Sequence, residues 1–308
     1  MKKFVSIALI FSWLMAQEDV ITLPSGARLD LPHTANVRVD TIIVKSGATF
    51  AAESPRDFSE VIATGNGTII TGQPLVSSVS SSTSDGAYNA GDTVLVTITF
   101  SENVTVTGTP QLTMETGSTD AVLNYVSGSG AATLVFRYIV ASGHTSADLA
   151  YSSTTALALP ESTTKIQDNL VNDGVLTLPV PGATNSLAAN KALVIDTEAP
   201  TAGTVSDGSG TDVTYSGSST SITANWTGFS DALSGIASYE IAVDTTSGAT
   251  NILSWTSAGD VTTYTKSDLS LTHATRYYVS TRALDAAGNY SSAATANGVI
   301  IDVVAPSS

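Results

Sequence analysis

The chain predicts an all-β protein, tandem antiparallel β-sandwiches following a small β-rich N-terminal segment. Three observations carry this. Apolar residues alternate with threonine, as in Thr93-Val94-Leu95-Val96-Thr97-Ile98-Thr99-Phe100, where Val94, Val96, Ile98 and Phe100 face one way and the threonines the other. A period of two belongs to a strand with one face in a core. Between such runs lie turn clusters: Asp85-Gly86, Gly128-Ser129-Gly130 and Asn172-Asp173-Gly174. Finally, Val194-Ile195-Asp196-Thr197-Glu198-Ala199-Pro200 is nearly respelled as Val299-Ile300-Ile301-Asp302-Val303-Val304-Ala305-Pro306. In each copy a β-branched run ends at an aspartate and Ala-Pro follows. Proline fixes φ and removes a backbone donor, so Pro200 and Pro306 read as stiff joints between modules.

Composition narrows the function classes. Only 13% of residues are charged and 42% are hydrophobic, against a usual charged share of roughly 25%, which excludes wholesale disorder. There is no cysteine, hence no disulfide, thiolate metal site, thiol nucleophile or lipid-bearing thiol. The formal net charge is −15, and losing Lys2 and Lys3 makes it more negative. Such a field repels phosphate backbones and anionic lipid surfaces, so nucleic acid is not an expected partner, while divalent cations fit. The ordinary role of this charge is solubility.

In chain order, residues 1–16 read as a signal peptide. Lys2 and Lys3 start it, Phe4 to Leu14 is apolar, and Ala16 is a small residue before Gln17. The run is too short for a membrane span, which needs about 18 apolar residues. Export follows, to the cell surface or beyond, with no transmembrane helix after cleavage. Residues 17–74 form a β-rich segment with an echo at about twenty residues: Ser25-Gly26-Ala27-Arg28-Leu29, Ser46-Gly47-Ala48-Thr49-Phe50 and Gly65-Asn66-Gly67-Thr68-Ile69. A short β-solenoid is one reading; loosely packed hairpins or an extended leader is the other. Gln73-Pro74 reads as a weaker joint. Residues 75–198 carry the alternating run above, with Ala121, Leu123 and Tyr125 and then Leu134, Phe136, Tyr138 and Val140 repeating the pattern. In residues 199–304, Ile222, Ala224 and Trp226 alternate, as do Tyr239, Ile241 and Val243, and the last strand runs through Val299, Ile301 and Val303. Residues 305–308 read as the start of a further linker, cut short.

Two resemblances refine these modules. The ordered series Asp85-Gly86-Ala87-Tyr88-Asn89-Ala90-Gly91-Asp92, Phe100-Ser101-Glu102-Asn103-Val104, Gly108-Thr109-Pro110-Gln111-Leu112 and Ala189-Asn190-Lys191-Ala192-Leu193-Val194-Ile195-Asp196 resembles a bacterial immunoglobulin-like repeat over about 77–197. It departs from that pattern at Asp168-Asn169-Leu170-Val171-Asn172, where such repeats often carry an Asp-Ala-Ala-Gly-Asn type of turn. Residues 199–304 resemble a bacterial fibronectin type III domain. The resemblance implies that Trp226 is the core tryptophan and that Tyr277, after Leu271-Thr272-His273-Ala274-Thr275-Arg276, is the tyrosine corner whose hydroxyl bonds back to the chain. His273 stands where a proline is usual, and Asp285-Ala286-Ala287-Gly288-Asn289 is the tight turn before the last strand. Both families are generally non-catalytic, so no enzyme activity is expected.

No catalytic constellation is visible. His33, His144 and His273 fall one per module in loop-like, solvent-facing surroundings, with no nucleophile elbow or clustered zinc ligands. The sharper expectation is calcium, a hard cation that wants several oxygens. Asp196 and Glu198 lie in the linker, and Asp207 and Asp212 follow in Asp207-Gly208-Ser209-Gly210-Thr211-Asp212. Turn formation alone also explains these residues. The expected function is a non-catalytic exported spacer or adhesin-type stalk whose partners are its own neighbouring modules. The alternative is an accessory module of a larger secreted enzyme that binds a surface glycan or protein, with Trp255 and Tyr264 as candidate aromatic contacts, of which Trp255 reads better as packed in a strand.

Overall fold

The computed structural model describes the backbone of six short strands before residue 71, and then residues 73–169 and 171–305. The signal peptide with its cleavage site, His33 and Pro306 lie outside the described residues.

The six early strands are β1 (Val20–Leu23), β2 (Arg28–Leu31), β3 (Thr41–Val44), β4 (Thr49–Ala52), β5 (Glu60–Ala63) and β6 (Thr68–Ile70). Odd strands pair only with odd strands, in parallel, as β1-β3-β5, and even with even as β2-β4-β6. Each turn of chain therefore adds one strand to each of two sheets, the pattern of a β-solenoid at the spacing of the sequence echo.

The next module comprises β7 (Val76–Ser81), β8 (Gly86–Tyr88), β9 (Thr93–Thr107), β10 (Gln111–Glu115), β11 (Ala121–Ser127), β12 (Ala131–Ile139), β13 (Thr145–Ser146), β14 (Ala150–Tyr151), β15 (Leu157–Ala158), β16 (Lys165–Gln167), a one-turn helix α1 (Leu187–Asn190) and β17 (Leu193–Asp196). The larger sheet runs β14-β10-β11-β12-β9-β16, with β7 on β9 and β15 on β10; the smaller is β13-β17-β8. Val94, Val96, Ile98, Phe100, Leu134, Phe136 and Tyr138 are all buried, so the alternation read from sequence does face the core. Gly128 at the β11–β12 turn has φ +110, and a Cβ there would lie 2.1 Å from the Thr133 carbonyl oxygen, so only glycine fits. The helix was not legible in the sequence. Ser186 caps it through its hydroxyl, and it buries only Leu187.

The last module comprises β18 (Thr204–Asp207), β19 (Tyr215–Ser216), β20 (Ile222–Thr227), β21 (Ile236–Asp244), β22 (Leu253–Gly259), β23 (Thr263–Lys266), β24 (Arg276–Asp285), β25 (Ala294–Thr295) and β26 (Val299–Ile301). One sheet is β18-β20-β23, the other β19-β26-β24-β21-β22 with β25 on β24. Ile222, Ala224 and Trp226 from the first sheet meet Tyr239, Ile241, Val243, Tyr277 and Val279 from the second. The Trp226 and Tyr239 rings lie 5.4 Å apart, centroid to centroid. Burying an indole and a phenol against each other contributes a few kcal/mol, about 1.5–3 for each large apolar side chain. Leu271 is buried, and the Tyr277 hydroxyl accepts the Thr272 N–H at 2.8 Å, which pins the loop entering β24. The last strand is shorter than its sequence pattern. It stops at Ile301, and Val303 is 46% exposed, with no strand among the described residues pairing beyond Ile301.

Candidate functional site

The chain between the two sandwiches is bonded into both. Asp196 ends β17, where the apolar run Leu193-Val194-Ile195 is held by β8 and β13, and it is fully buried. Thr197 turns back to the first sandwich: its hydroxyl donates to the His144 carbonyl at 3.1 Å and accepts the Gly143 N–H at 2.9 Å. Asp196 turns forward. Its Oδ2 accepts the Ser234 N–H at 3.1 Å, and its carbonyl accepts Asn289 Nδ2 at 3.1 Å. Two residues beyond Ala199, Thr201 exchanges backbone hydrogen bonds with Ser230, and Pro200 between them is buried.

Two further carboxylates arrive at Asp196. Asp231 follows β20, and its Oδ1 accepts the backbone N–H groups of Leu233, Ser234 and Gly235 at 2.7–3.0 Å. Asp285 ends β24; its Oδ1 accepts the Asn289 N–H at 2.7 Å and its Oδ2 accepts Asn289 Nδ2 at 2.8 Å. One carboxylate oxygen from each of Asp196, Asp231 and Asp285 lies within 4.8 Å of the others. Asp285, like Asp196, is buried. The Ser234 hydroxyl beside them is buried without a hydrogen-bond partner. Like charges this close repel, and the backbone N–H groups donated to each carboxylate oppose that repulsion. An all-oxygen, all-carboxylate set suits a hard divalent cation such as calcium and lacks the imidazole or thiolate that zinc prefers.

Of the four residues expected to hold calcium together, the structure brings only Asp196 to this place. Glu198 is exposed, and it is its backbone N–H that meets Asp196 Oδ1, at 3.1 Å. Asp207 and Asp212 form a separate loop in the last module. There the Asn225 amide donates to the carbonyls of Gly208 and Gly210 at 2.9 and 3.0 Å, so oxygens that could surround a cation already surround a side-chain amide. Asp212 accepts the Asp207 N–H through Oδ1 and Asn297 Nδ2 through Oδ2. Asp207 is fully buried; its Oδ2 accepts the Gly298 N–H at 2.9 Å, while its Oδ1 has no partner. Burial pushes its carboxyl up to about 6, the Asp212 charge adding to the rise while the Gly298 N–H and the Arg276 charge oppose it.

Sequence reasoning missed Asp231 and Asp285, although a signal existed. Phe229-Ser230-Asp231 echoes Phe100-Ser101-Glu102, and the equivalence is structural. Ser101 bonds to Leu75 after Pro74, as Ser230 bonds to Thr201 after Pro200. Likewise Asp168 and Asn172 repeat the Asp285 to Asn289 turn: the aspartate N–H donates to the asparagine carbonyl at 3.1 Å in both, and Asn172 returns its N–H and Nδ2 to Asp168. The departure noted in the sequence leaves this turn intact, with Val171 at φ 67° where Gly288 stands at φ 97°. Burial and the Asp168 charge raise the Glu102 carboxyl.

The remaining candidates are structural. His144 is half-buried, not simply solvent-facing: its ring stacks on Tyr138, and its Nδ1 lies 2.9 Å from the Tyr138 hydroxyl. The His273 side chain is 43% exposed, 3.7 Å from Asp302. Trp255 is half-buried with the Arg282 guanidinium 4.4 Å over its ring; Tyr290 takes the same cation at 3.9 Å, and Glu240 pairs with it at 2.6 Å. Tyr264 is half-buried against the core. No helix among the described residues is long and apolar enough to cross a membrane.

No protein family matches the chain, and no curated protein matches it either. Among solved structures it is similar to a tandem-domain segment of titin, at 13% identity over 75% of this chain and 68% of that one, TM-score 0.34. It is similar to the FN1-FN3 domains of chicken CNTN1, at 14% identity over 76% and 67%, TM-score 0.32. A third is the fibronectin(III)-like modules of Clostridium thermocellum CbhA, at 13% identity over 73% and 94%, TM-score 0.27. The all-β sandwich assignment rests on the strand pairing itself.

Proposed function

We propose that this chain is a non-catalytic, exported spacer of the adhesin-stalk type, built from a bacterial immunoglobulin-like module followed by a bacterial fibronectin type III module. The observation that supports it is the bonding of the linker to both neighbours, through Thr197 on one side and Asp196 on the other. A linker bonded on both sides fixes the orientation of one module against the next, where a free one would not. In this reading Asp196, Asp231 and Asp285 hold a calcium ion, with water completing the shell, and the ion stiffens the joint.

Calorimetric titration of the secreted chain tests the cation. The expected outcome is one site with a dissociation constant of about 10⁻⁴ to 10⁻³ M, the range of extracellular modules. A rise in melting temperature with calcium should accompany it and be lost on chelation. Asp231→Asn keeps an acceptor for the three backbone N–H groups but removes a charge, and should abolish binding without unfolding the module. No heat and no change in melting temperature would remove calcium from the proposal. Small-angle scattering that fits freely jointed modules would remove the stiff spacer as well. A second reading, accessory modules that bind glycan or protein for a larger secreted enzyme, is favoured by one observation, the 62% exposure of Tyr215.

A further inference from the structure

Tyr215 stands at the rim of a cavity of about 370 Å³ on the last module, between the Asp207 to Val213 loop and the start of β20. Its floor is the core, Ile222 and Val299, and its walls are hydroxyl side chains and glycine backbone. No charged side chain lines it. This volume falls at the small end of known ligand sites, about 300–1,000 Å³. The lining combines one rigid aromatic ring with serine and glycine, the same mixture that antibody loops use. The ring supplies contact area at little entropic cost, and the hydroxyls supply adaptable hydrogen bonds.

The hydroxyls are fixed in place without being used up. Ser216 Oγ accepts the Ser218 N–H. Ser218 Oγ accepts the N–H groups of Thr220 and Ser221 and lies 2.8 Å from Ser221 Oγ. A hydroxyl that accepts from the backbone still has its own proton to give. The Ser216 proton, and one of the two shared by Ser218 and Ser221, therefore remain for a ligand oxygen. Beside them Tyr215 offers a ring face and Val213, 37% exposed, an apolar edge.

From this geometry we infer a binding site for a neutral saccharide. A sugar ring presents C–H groups on one face and hydroxyls that both donate and accept at its edges, which matches an aromatic face beside positioned serine hydroxyls. The uncharged lining gives no selection for an ionic ligand, and a chain of net charge −15 repels uronic acids and phosphates. The site sits on the face of β19 and the adjoining loops, apart from Asp196, Asp231 and Asp285. The inference rests on the binding-module reading alone, so it stands or falls independently of calcium.

The test is nuclear magnetic resonance titration of the full secreted chain with cellohexaose, mannohexaose, maltohexaose and chitohexaose, with polygalacturonate oligomers as the anionic control. At least one neutral oligosaccharide should shift amide signals saturably, with the shifts confined to residues 208–223 and the neighbourhood of Val299, while the anionic oligomers do not. Tyr215→Ala should weaken that binding about two- to tenfold, the worth of one aromatic contact, and Tyr215→Phe should retain it. Ser218→Ala should weaken it too. An unchanged melting temperature in Tyr215→Ala would show that the fold survives, since the side chain is exposed. No shift with any neutral sugar at millimolar concentration overturns the inference. So does equal binding by the polygalacturonate oligomers, or by Tyr215→Ala. Calcium binding should be unaltered in every Tyr215 variant, so loss of sugar binding cannot be confused with failure of the joint.

Discussion

Asp207 makes the last module sensitive to pH in a direction opposite to most paired carboxylates. Its carboxyl is raised from an ordinary 3.8 to about 6, by burial first, then against the pull of the Gly298 N–H and with the push of Asp212; Arg276 also faces it. Below both values the folded and unfolded chains are equally protonated and the group contributes nothing. As pH rises from about 4 to 6 the unfolded chain releases a proton that the folded chain keeps, so stability falls, and above about 6 it levels off. A difference of about two pKa units at roughly 1.4 kcal/mol each gives a loss of the order of 3 kcal/mol. That is a large share of a typical 5–15 kcal/mol. The assay is guanidinium unfolding followed by tryptophan fluorescence. Trp226 and Trp255 both lie in the last module and Trp13 falls in the predicted signal peptide, so the mature protein reports that module alone. Other carboxylates titrate in the same range, and the comparison is therefore with Asp207→Asn. The wild type should lose stability relative to the variant between pH 4 and 7, and the variant should be the more stable at pH 7. Parallel curves for the two proteins would refute the reasoning.

Two substitutions probe local claims. Val171 is β-branched, 69% exposed and left-handed at φ 67°, so Val171→Gly should relieve strain and stabilise the first sandwich by about 1 kcal/mol, read as a higher calorimetric melting temperature of that module. Tyr277→Phe removes the acceptor of the Thr272 N–H and should cost about 1 kcal/mol, seen as an earlier fluorescence midpoint; an unchanged midpoint would mean the corner hydroxyl does not hold the loop.

Local order was determined by the sequence, because a strand with one buried face must alternate with a period of two and turns must carry glycine, asparagine or aspartate. Val94 through Phe100, Trp226 and the linker ending at Pro200 were legible on that ground. So was the twenty-residue echo, which emerges as the rungs of two parallel sheets. The site was not legible. Asp196, Asp231 and Asp285 are separated by more than a strand each and meet only because β17, β20 and β24 end at the same place. Proximity in sequence favoured Glu198, Asp207 and Asp212 instead, and nothing local reveals that Asn225 occupies the centre of the Asp207 loop. Side-chain exposure was likewise a tertiary matter. Tyr264 read as an available contact but packs against the core, and Trp255, which read as packed in a strand, lies in β22 under the Arg282 guanidinium, while Tyr215, on a two-residue edge strand that pairs with β26 on one side, is left facing solvent.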